Sequence, residues 1–386
     1  MAERIGNVGY LGMKKESTRG TAVIPDVYAP LYEETVLTNL NVDEDSPIIG
    51  SKITRFQVIM GQREHKGDVT ILAEPNTAAR FFDMLLYKSG TTGSNPYTHS
   101  FALNNTNNPN SYTVDIARGE IVHRFIGTEA SQIGIDFDKN KMKFKISLSA
   151  LKSFSVREIA SVSTNVLTLT TAYDPTPTDG LVAGDLVRLF KADGSTVDTT
   201  VSSLTSTTVT VGSATGVATG DLIALRRATP SFTIVTPYLW ARTQFCFGAT
   251  AAAALSASQT RLEDGSTWTV KNMFEDDAGA KRSGAFDPAA LVRTLGDVEF
   301  TTKQYFDTAD DLNRFLSLTK RACVIRHYSE SGYELRLTLN NIKAKELSSP
   351  IKSGEIIYQE ITWLPSYDSV DGQAFDVKVI NAISSI

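Results

Sequence analysis

Cysteine and histidine are scarce in this 386-residue sequence, with two and four copies respectively. Cys246 and Cys323 stand far apart without CxxC spacing, which excludes a disulfide framework and a cysteine-built zinc site and predicts two buried apolar thiols. His65, His99, His123 and His327 are scattered, with no HExxH and no pairing at metal-ligand spacing. The nucleophile-elbow, dinucleotide-binding and P-loop signatures are missing too, so no catalytic residue, no cofactor and no metal are expected, and the chain reads as a non-enzyme. The acidic run Glu275-Asp276-Asp277 lacks the spacing of a calcium loop and reads as a solvated loop tip. Basic residues are not in excess. Lys and Arg number 38 against 43 Asp and Glu, a net charge of −5, which argues against a protein built to grip phosphate backbones. Long apolar runs are absent as well: the small-apolar stretch at residues 251–255 is far short of the roughly 20 residues of a membrane helix. The opening Met1-Ala2-Glu3-Arg4-Ile5-Gly6 lacks the plan of a signal peptide, so a cytosol-like compartment, or release from it without a secretion channel, is expected.

What is present is the alternation of a β protein. At about 150 residues per domain, the length predicts two or three domains. Hydrophobic residues at 41% and charged residues at 21% are ordinary for a folded chain, so a sizeable core needs no covalent staples. Residues 53–58, 142–148, 333–339 and 375–379 alternate apolar and polar side chains, the period of antiparallel strands with one wet face. Two segments have helical spacing instead. Residues 77–88 place Ala78, Phe81, Phe82, Leu85 and Leu86 on one stripe, with Asn76 or Thr77 as cap. Residues 308–320 do the same with Ala309, Leu312, Phe315 and Leu316, with Asp307 as cap and Asp310 and Asp311 in the first turn, where acids suit the macrodipole. Each helix is expected to lay its apolar face on a sheet.

The surroundings of these two helices repeat. Gly67-Asp68-Val69-Thr70-Ile71 precedes the first and Gly296-Asp297-Val298-Glu299-Phe300 the second, while Phe81, Met84 and Leu85 correspond to Leu312, Phe315 and Leu316. Strands starting at Tyr112 and Tyr333, then strands containing Ile146 and Ile361, follow in the same order. The chain therefore reads as an N-terminal arm and first strand over 1–45, one domain copy over 46–158 and a second over 229–386. Between the copies, residues 159–228 are rich in Thr, Ser, Val and Gly, and Leu181-Val182-Ala183-Gly184-Asp185-Leu186-Val187 is echoed by Val217-Ala218-Thr219-Gly220-Asp221-Leu222-Ile223. That composition predicts short exposed strands in a small inserted all-β module, whose Gly-Asp turns start new strands and carry no catalytic meaning.

One charged feature has two readings. Lys139, Lys141, Lys143 and Lys145 alternate with Met142, Phe144 and Ile146, a positive row along one face of a strand. An edge strand guarded against mispairing has this pattern. So does a docking stripe for an acidic neighbour, and Glu275, Asp276, Asp277, Asp297 and Glu299 are the acidic candidates in another copy of the chain.

The stretch Gly9-Tyr10-Leu11-Gly12, then Glu16-Ser17-Thr18-Arg19-Gly20-Thr21-Ala22 and Pro25, followed by the Gly67-Asp68-Val69 strand and the helix at 76–88, resembles the tail tube proteins of long flexible-tailed (siphovirus-type) bacteriophages. The likeness covers residues 1–157 and, through the repeat, 229–386, while the Thr-rich insert is similar to the surface decoration modules of such proteins. The resemblance implies β-sandwich or half-barrel domains, each with one flanking helix. It implies self-assembly into stacked rings, three chains supplying six pseudo-equivalent domains, in a hollow conduit for genome delivery. Implied partners are the chain itself, a tape measure protein inside the tube, and tail terminator and distal tail proteins at its ends. The resemblance also implies that double-stranded DNA passes without specific binding, that no membrane is involved, and that assembly takes place in the host bacterial cytoplasm, with the virion tail as final location. Residues 38–52 and 276–291, too long for hairpin turns, are then arms reaching the next ring. Asp68, Thr70, Asp297 and Glu299 are expected to line the channel, where a neutral or acidic wall lets DNA slide, and Lys141, Lys143 and Lys145 to face a neighbouring copy. A virion decoration or tail-tip adhesin protein is the alternative, with the insert as its binding part.

Overall fold

The alternating segments at 142–148 and 375–379 become strands, as do 334–339 of the segment at 333–339 and residues 57 and 58 of the first one, whose residues 53–56 lie outside the described residues. Every pairing among the described strands is antiparallel, and the chain is mainly β. The computed structural model describes residues 9–45, 57–104, 108–172, 174–233, 235–275, 287–305, 310–351 and 356–386. Strands β1 (Tyr10–Lys15), β2 (Val27–Ala29), β3 (Leu31–Glu34), β4 (Leu37–Asp45) and β5 (Gln57–Leu72) lead into helix α1 (Pro75–Leu85). Then come β6 (Tyr87–Gly93), β7 (Tyr97–Ala102), β8 (Tyr112–Arg118), β9 (Ile121–Asp138), β10 (Lys141–Ala150) and β11 (Lys152–Phe154). The next stretch holds β12 (Val156–Ser163), β13 (Val166–Leu169), β14 (Leu186–Phe190), β15 (Thr196–Leu204), β16 (Thr208–Val211) and β17 (Leu222–Arg226). The last part contains β18 (Tyr238–Gly248), α2 (Ala251–Ser256), β19 (Gln259–Thr260), β20 (Thr267–Phe274), β21 (Arg293–Tyr305) and α3 (Asp310–Leu316). It ends with β22 (Arg321–Ser329), β23 (Glu334–Ser348), β24 (Tyr358–Pro365) and β25 (Phe375–Asn381).

The chain traces one strand path twice. In the first half neighbours run β4-β5-β10-β9-β8-β1-β2. In the second half they run β20-β21-β24-β23-β22-β18-β19. A closing strand pairs with the start of the longest strand each time, β11 with β9 and β25 with β23. Ile71 opposite Phe144 thus corresponds to Phe300 opposite Trp363. The N-terminal strands belong to this path, since β1 pairs with β8 and both β3 and β4 pair with β5. Of the two expected arms, residues 38–45 form β4 in a hairpin with β5, whereas 46–52 and 276–286 lie outside the described residues.

Two large apolar clusters and a small one around Ala254, Ala322 and Val324 are found among the described residues. The larger draws on both halves: Phe81, Phe82, Met84 and Leu85 of α1 meet Phe101, Phe144, Trp268, Phe300, Leu337 and Phe375. Apolar burial of this kind, at about 25 cal/mol per Å², favours keeping the two halves packed together. The second cluster is made by Ile159, Leu167, Val187, Leu189, Val209 and Ile223 of β12–β17 and borders Tyr10, Ala117, Val122 and Phe154 of the first half. Cys246 and Cys323 are buried free thiols on neighbouring strands.

Helix α1 starts two residues before the expected segment. Pro75 occupies the first turn, where its fixed φ suits a helix and its missing N–H costs nothing, and the preceding Glu74 makes no side-chain cap. Asn76 and Thr77 are therefore inside the helix, and Thr77 Oγ1 donates to the Glu74 carbonyl at 3.2 Å. The helix ends at Leu85 because Tyr87 already belongs to β6. All of α1 except Asn76 and Arg80 is buried, whereas its counterpart α3 has no buried residue and touches the core only through Phe315. The expected cap Asp307 lies outside the described residues.

Candidate assembly surface

The sheets of the two halves meet at β9. Gln132, Ile133 and Gly134 pair with β10 on one side and with Lys271, Val270 and Thr269 of β20 on the other. A single antiparallel run therefore crosses the molecule, from β3 and β4 through β5, β10, β9, β20, β21 and β24 to β23. Behind the junction the second half completes α1. Asn272 Nδ2 donates to the Leu85 carbonyl at 2.7 Å and Arg293 Nη2 to the Met84 carbonyl at 3.0 Å, satisfying acceptors that a helix C-terminus leaves open. Arg293 is held in turn by the fully buried Glu129 of β9 at 2.7 Å, and Arg19 contacts the same carboxylate.

One face of this run is core and the other is open. Cross-strand partners share a face, so registers trace a row of outward side chains: Glu33, Thr70, Lys145, Gly134, Thr269 and Glu299. Trp363 pairs with Phe300, which brings its neighbour Leu364 onto the row and, opposite Leu364, Lys343 of β23. Asp68, Thr70, Asp297 and Glu299 thus do share one face, Thr70 half-buried and the acids exposed. Ser147 Oγ donates to Asp68 at 2.5 Å, Lys271 Nζ to Glu299 at 2.5 Å, and Asp297 accepts the Val298 N–H at 2.7 Å.

The lysine row lies on this same face. Lys145 is the direct cross-strand neighbour of Thr70 and Lys143 that of Leu72, so the lysines expected to face a neighbouring copy share one face with the positions expected to line a channel, and the two sets do not lie on separate surfaces. The edge-strand reading also fails, because β10 is hydrogen-bonded to β5 and β9 on its two sides. Lys143 is paired with Asp138 at 2.9 Å and Lys145 with Asp136 at 3.0 Å, both acids on the adjoining strand. The Lys143 ammonium holds the Asp138 carboxyl below its usual range. Lys141 is exposed at the start of β10, opposite Asp138. Glu275 is exposed just past β20, its N–H bonded to the Val292 carbonyl at 2.8 Å, and no contact joins it to the lysines among the described residues. Asp276 and Asp277 lie outside those residues.

Sequence reasoning missed the two ends of the row. Glu33 and Lys343 are exposed, opposite in charge, and sit on strands with no hydrogen-bonded neighbour on their outer side among the described residues: β3 and β4 at one end, β23 from Lys343 onward at the other. Their signal was the repeat, read for its pairing order as well as its residue matches. The Glu-x-Thr-x-Gly-Thr stretch has a structural basis: the buried Glu16 carboxylate accepts from Gly20 N–H, Ser111 Oγ, Thr113 Oγ1 and Gly127 N–H at 2.8–2.9 Å, binding the N-terminal loop to β8 and β9.

Among the described residues no cluster of His, Cys, Asp and Glu is placed to hold a metal, and no helix is long and apolar enough to cross a membrane. His65, His99 and His327 are instead buried and hydrogen-bonded to hydroxyl partners, Thr38, Thr91 and Thr243. No protein-family model and no curated protein matches the sequence.

Proposed function

We propose that this chain is the structural subunit of a phage tail tube, a self-assembling protein whose copies close into rings and stack into a hollow conduit for DNA. The observation that carries this reading is the β9–β20 junction, where two copies of one strand path join edge to edge and leave the same two kinds of edge free at the ends of the run. An open-ended run of this kind is stabilised by adding further copies until it closes, because closure alone removes unpaired edges. With two copies per chain, three chains make a ring of six similar units, and the β12–β17 unit projects from each chain as decoration. The open face suits a conduit wall in its central part, where Lys143, Lys145 and Lys271 are held by Asp138, Asp136 and Glu299, so DNA phosphates meet ion pairs there instead of free ammonium groups. Negative-stain electron microscopy of concentrated purified protein tests the proposal. Stacked rings with an open centre and three-fold symmetry are expected, and persistent monomers or unstacked trimers reject it.

A further inference from the structure

We infer that Lys343 of one chain lies opposite Glu33 of the next, in a chain-to-chain junction that carries the β9–β20 step forward onto the part of β23 beyond Ile342, where the pairing with β22 ends. The inference rests on the ring reading and adds to it the register and the residues that set it. Within the chain, Gly134 faces Thr269 at the junction. The counterpart of Thr269 is Glu33, because Thr269 pairs with Glu299 and Glu33 pairs with Thr70, and Glu299 and Thr70 hold the same place in the Gly-Asp-Val repeat. The counterpart of Gly134 is Lys343. Gly134 follows from Thr70 through Lys145, and Lys343 follows from the Glu299 position through Leu364, two steps across each sheet. Carrying the internal step forward by one copy therefore sets Lys343 against Glu33. Neither residue has an ion-pair partner among the described residues, both are exposed, and their charges are opposite.

The helices give independent support. The second half covers α1, with β25 and the Asn272 and Arg293 side chains over its surface and C-terminal carbonyls, and Asn381 Nδ2 on the Pro75 carbonyl at 3.0 Å. Its counterpart α3 packs mainly on β23, with Asp311 also bonded to Gln304 and Arg321, and exposes Leu312, Leu316 and, just beyond its end, Leu318. Leu316 is 73% exposed where its equivalent Leu85 is fully buried. A second copy seated on the free half of β23 is continuous with α3 and covers it as α1 is covered. The partner for this face is another copy of the same chain, with its β3 strand against β23.

The test joins cross-linking to charge exchange. Glu33→Cys and Lys343→Cys proteins are mixed in equal amounts and oxidised under assembly conditions, with Glu33→Cys plus Glu360→Cys, one strand further in, as control. A disulfide-linked dimer is expected from the first mixture and not the control, since directly opposite Cβ atoms lie about 4.5–5.5 Å apart. Glu33→Lys alone and Lys343→Glu alone should each reduce assembled protein roughly tenfold, and the two together in one chain should restore it. Amide exchange in α3 should slow at least roughly tenfold on assembly while that in α1 stays unchanged. Rings by microscopy without the cross-link, without rescue or without protection of α3 overturn this register and leave the tube reading standing. The cross-link in particles that never stack supports the register and rejects the tube. A wild-type protein that stays monomeric at every concentration overturns both.

Discussion

Arg124 of β9 forks Asp185 of the smaller unit, with Nη1 and Nη2 donating to its two carboxylate oxygens at 2.7 and 3.0 Å while Nε and Nη2 hold Asp115. The guanidinium is 2% exposed and also donates to the Gly180 carbonyl at 3.0 Å, so a single buried cation ties two apolar clusters together. Asp185→Ala should cost about 3 kcal/mol in chemical denaturation, because it strands part of a buried charge. Asp221→Ala, at the same place in the repeated Gly-Asp turn, loses bonds from Ala218 and Ala192 N–H groups only and should cost about 1–2 kcal/mol. Limited proteolysis in β14–β16 should accelerate for the first variant and far less for the second.

His327 is neutral in the folded protein. Burial pushes its pKa down to about 3, and Trp268 Nε1–H, which can only donate, takes its Nε2 at 2.9 Å, leaving Nδ1–H for Thr243. The unfolded chain binds a proton here below about pH 6.5 and the folded chain does not until near pH 3. Stability therefore falls as pH drops from about 6.5, at up to about 1.4 kcal/mol per unit from this group. Urea unfolding at pH 7 and pH 5 should show about 2 kcal/mol more loss in wild type than in His327→Gln.

Glu74 has the opposite slope. Burial raises its carboxyl to about 7, and its Oε1 has no hydrogen-bond partner among the described residues. The folded state keeps this proton between about pH 4.5 and 7 while the unfolded state has lost it, so stability declines as pH rises through that window. Glu74→Gln should remove the decline and be more stable than wild type at pH 8 by about 1–3 kcal/mol, measured by denaturation at both ends of the window.

Gly67 is needed for close approach. A Cβ there would lie 2.5 Å from the Thr35 carbonyl oxygen and 2.5 Å from Val36 Cα, both backbone atoms that cannot rotate away. Gly67→Ala should cost about 2–4 kcal/mol in thermal or urea unfolding. Gly296→Ala meets only the Leu103 side chain, which can shift, and should cost less.

The balance of charge on the open face is testable with DNA. Replacing Asp68, Asp297 and Glu299 together by Lys should leave folding intact, since all three are exposed, and give assembled protein that retains double-stranded DNA in 50 mM salt and releases it near 500 mM, about the range in which phosphate contacts dissociate. Wild-type assemblies should retain none in a co-sedimentation assay.

The mainly-β class and helix α1 were legible because period-2 and period-3.6 patterns are local, and Phe144 or Phe82 announces its face whatever it packs against. The second stripe, expected over 308–320, is helical only at Asp310–Leu316 among the described residues and buries none of its side chains. The direction of the lysine row was not. Lys145 and Asp136 are far from Thr70 and Lys271 in sequence, and only pairing register decides which charges share a face. The start of α1 was misread because Asn76 and Thr77 look like caps, while Pro75 outranks them at the first turn. Arg124 and Glu129 were invisible for a similar reason: a buried charge is recognised by partners such as Asp185 and Arg293 that arrive from elsewhere in the chain.

The capping of α1 by distant residues has a consequence for biosynthesis. Asn272, Arg293 and Asn381 finish a helix that leaves the ribosome far earlier, and β25 is made about 290 residues after it. During translation the first half must wait with Phe81, Phe82 and Leu85 lacking their cover and with the β9 edge open, a state in which nascent chains on one polysome are the nearest available substitutes for their own C-termini. Slow elongation through the second half should therefore favour exchange between neighbouring chains over correct closure.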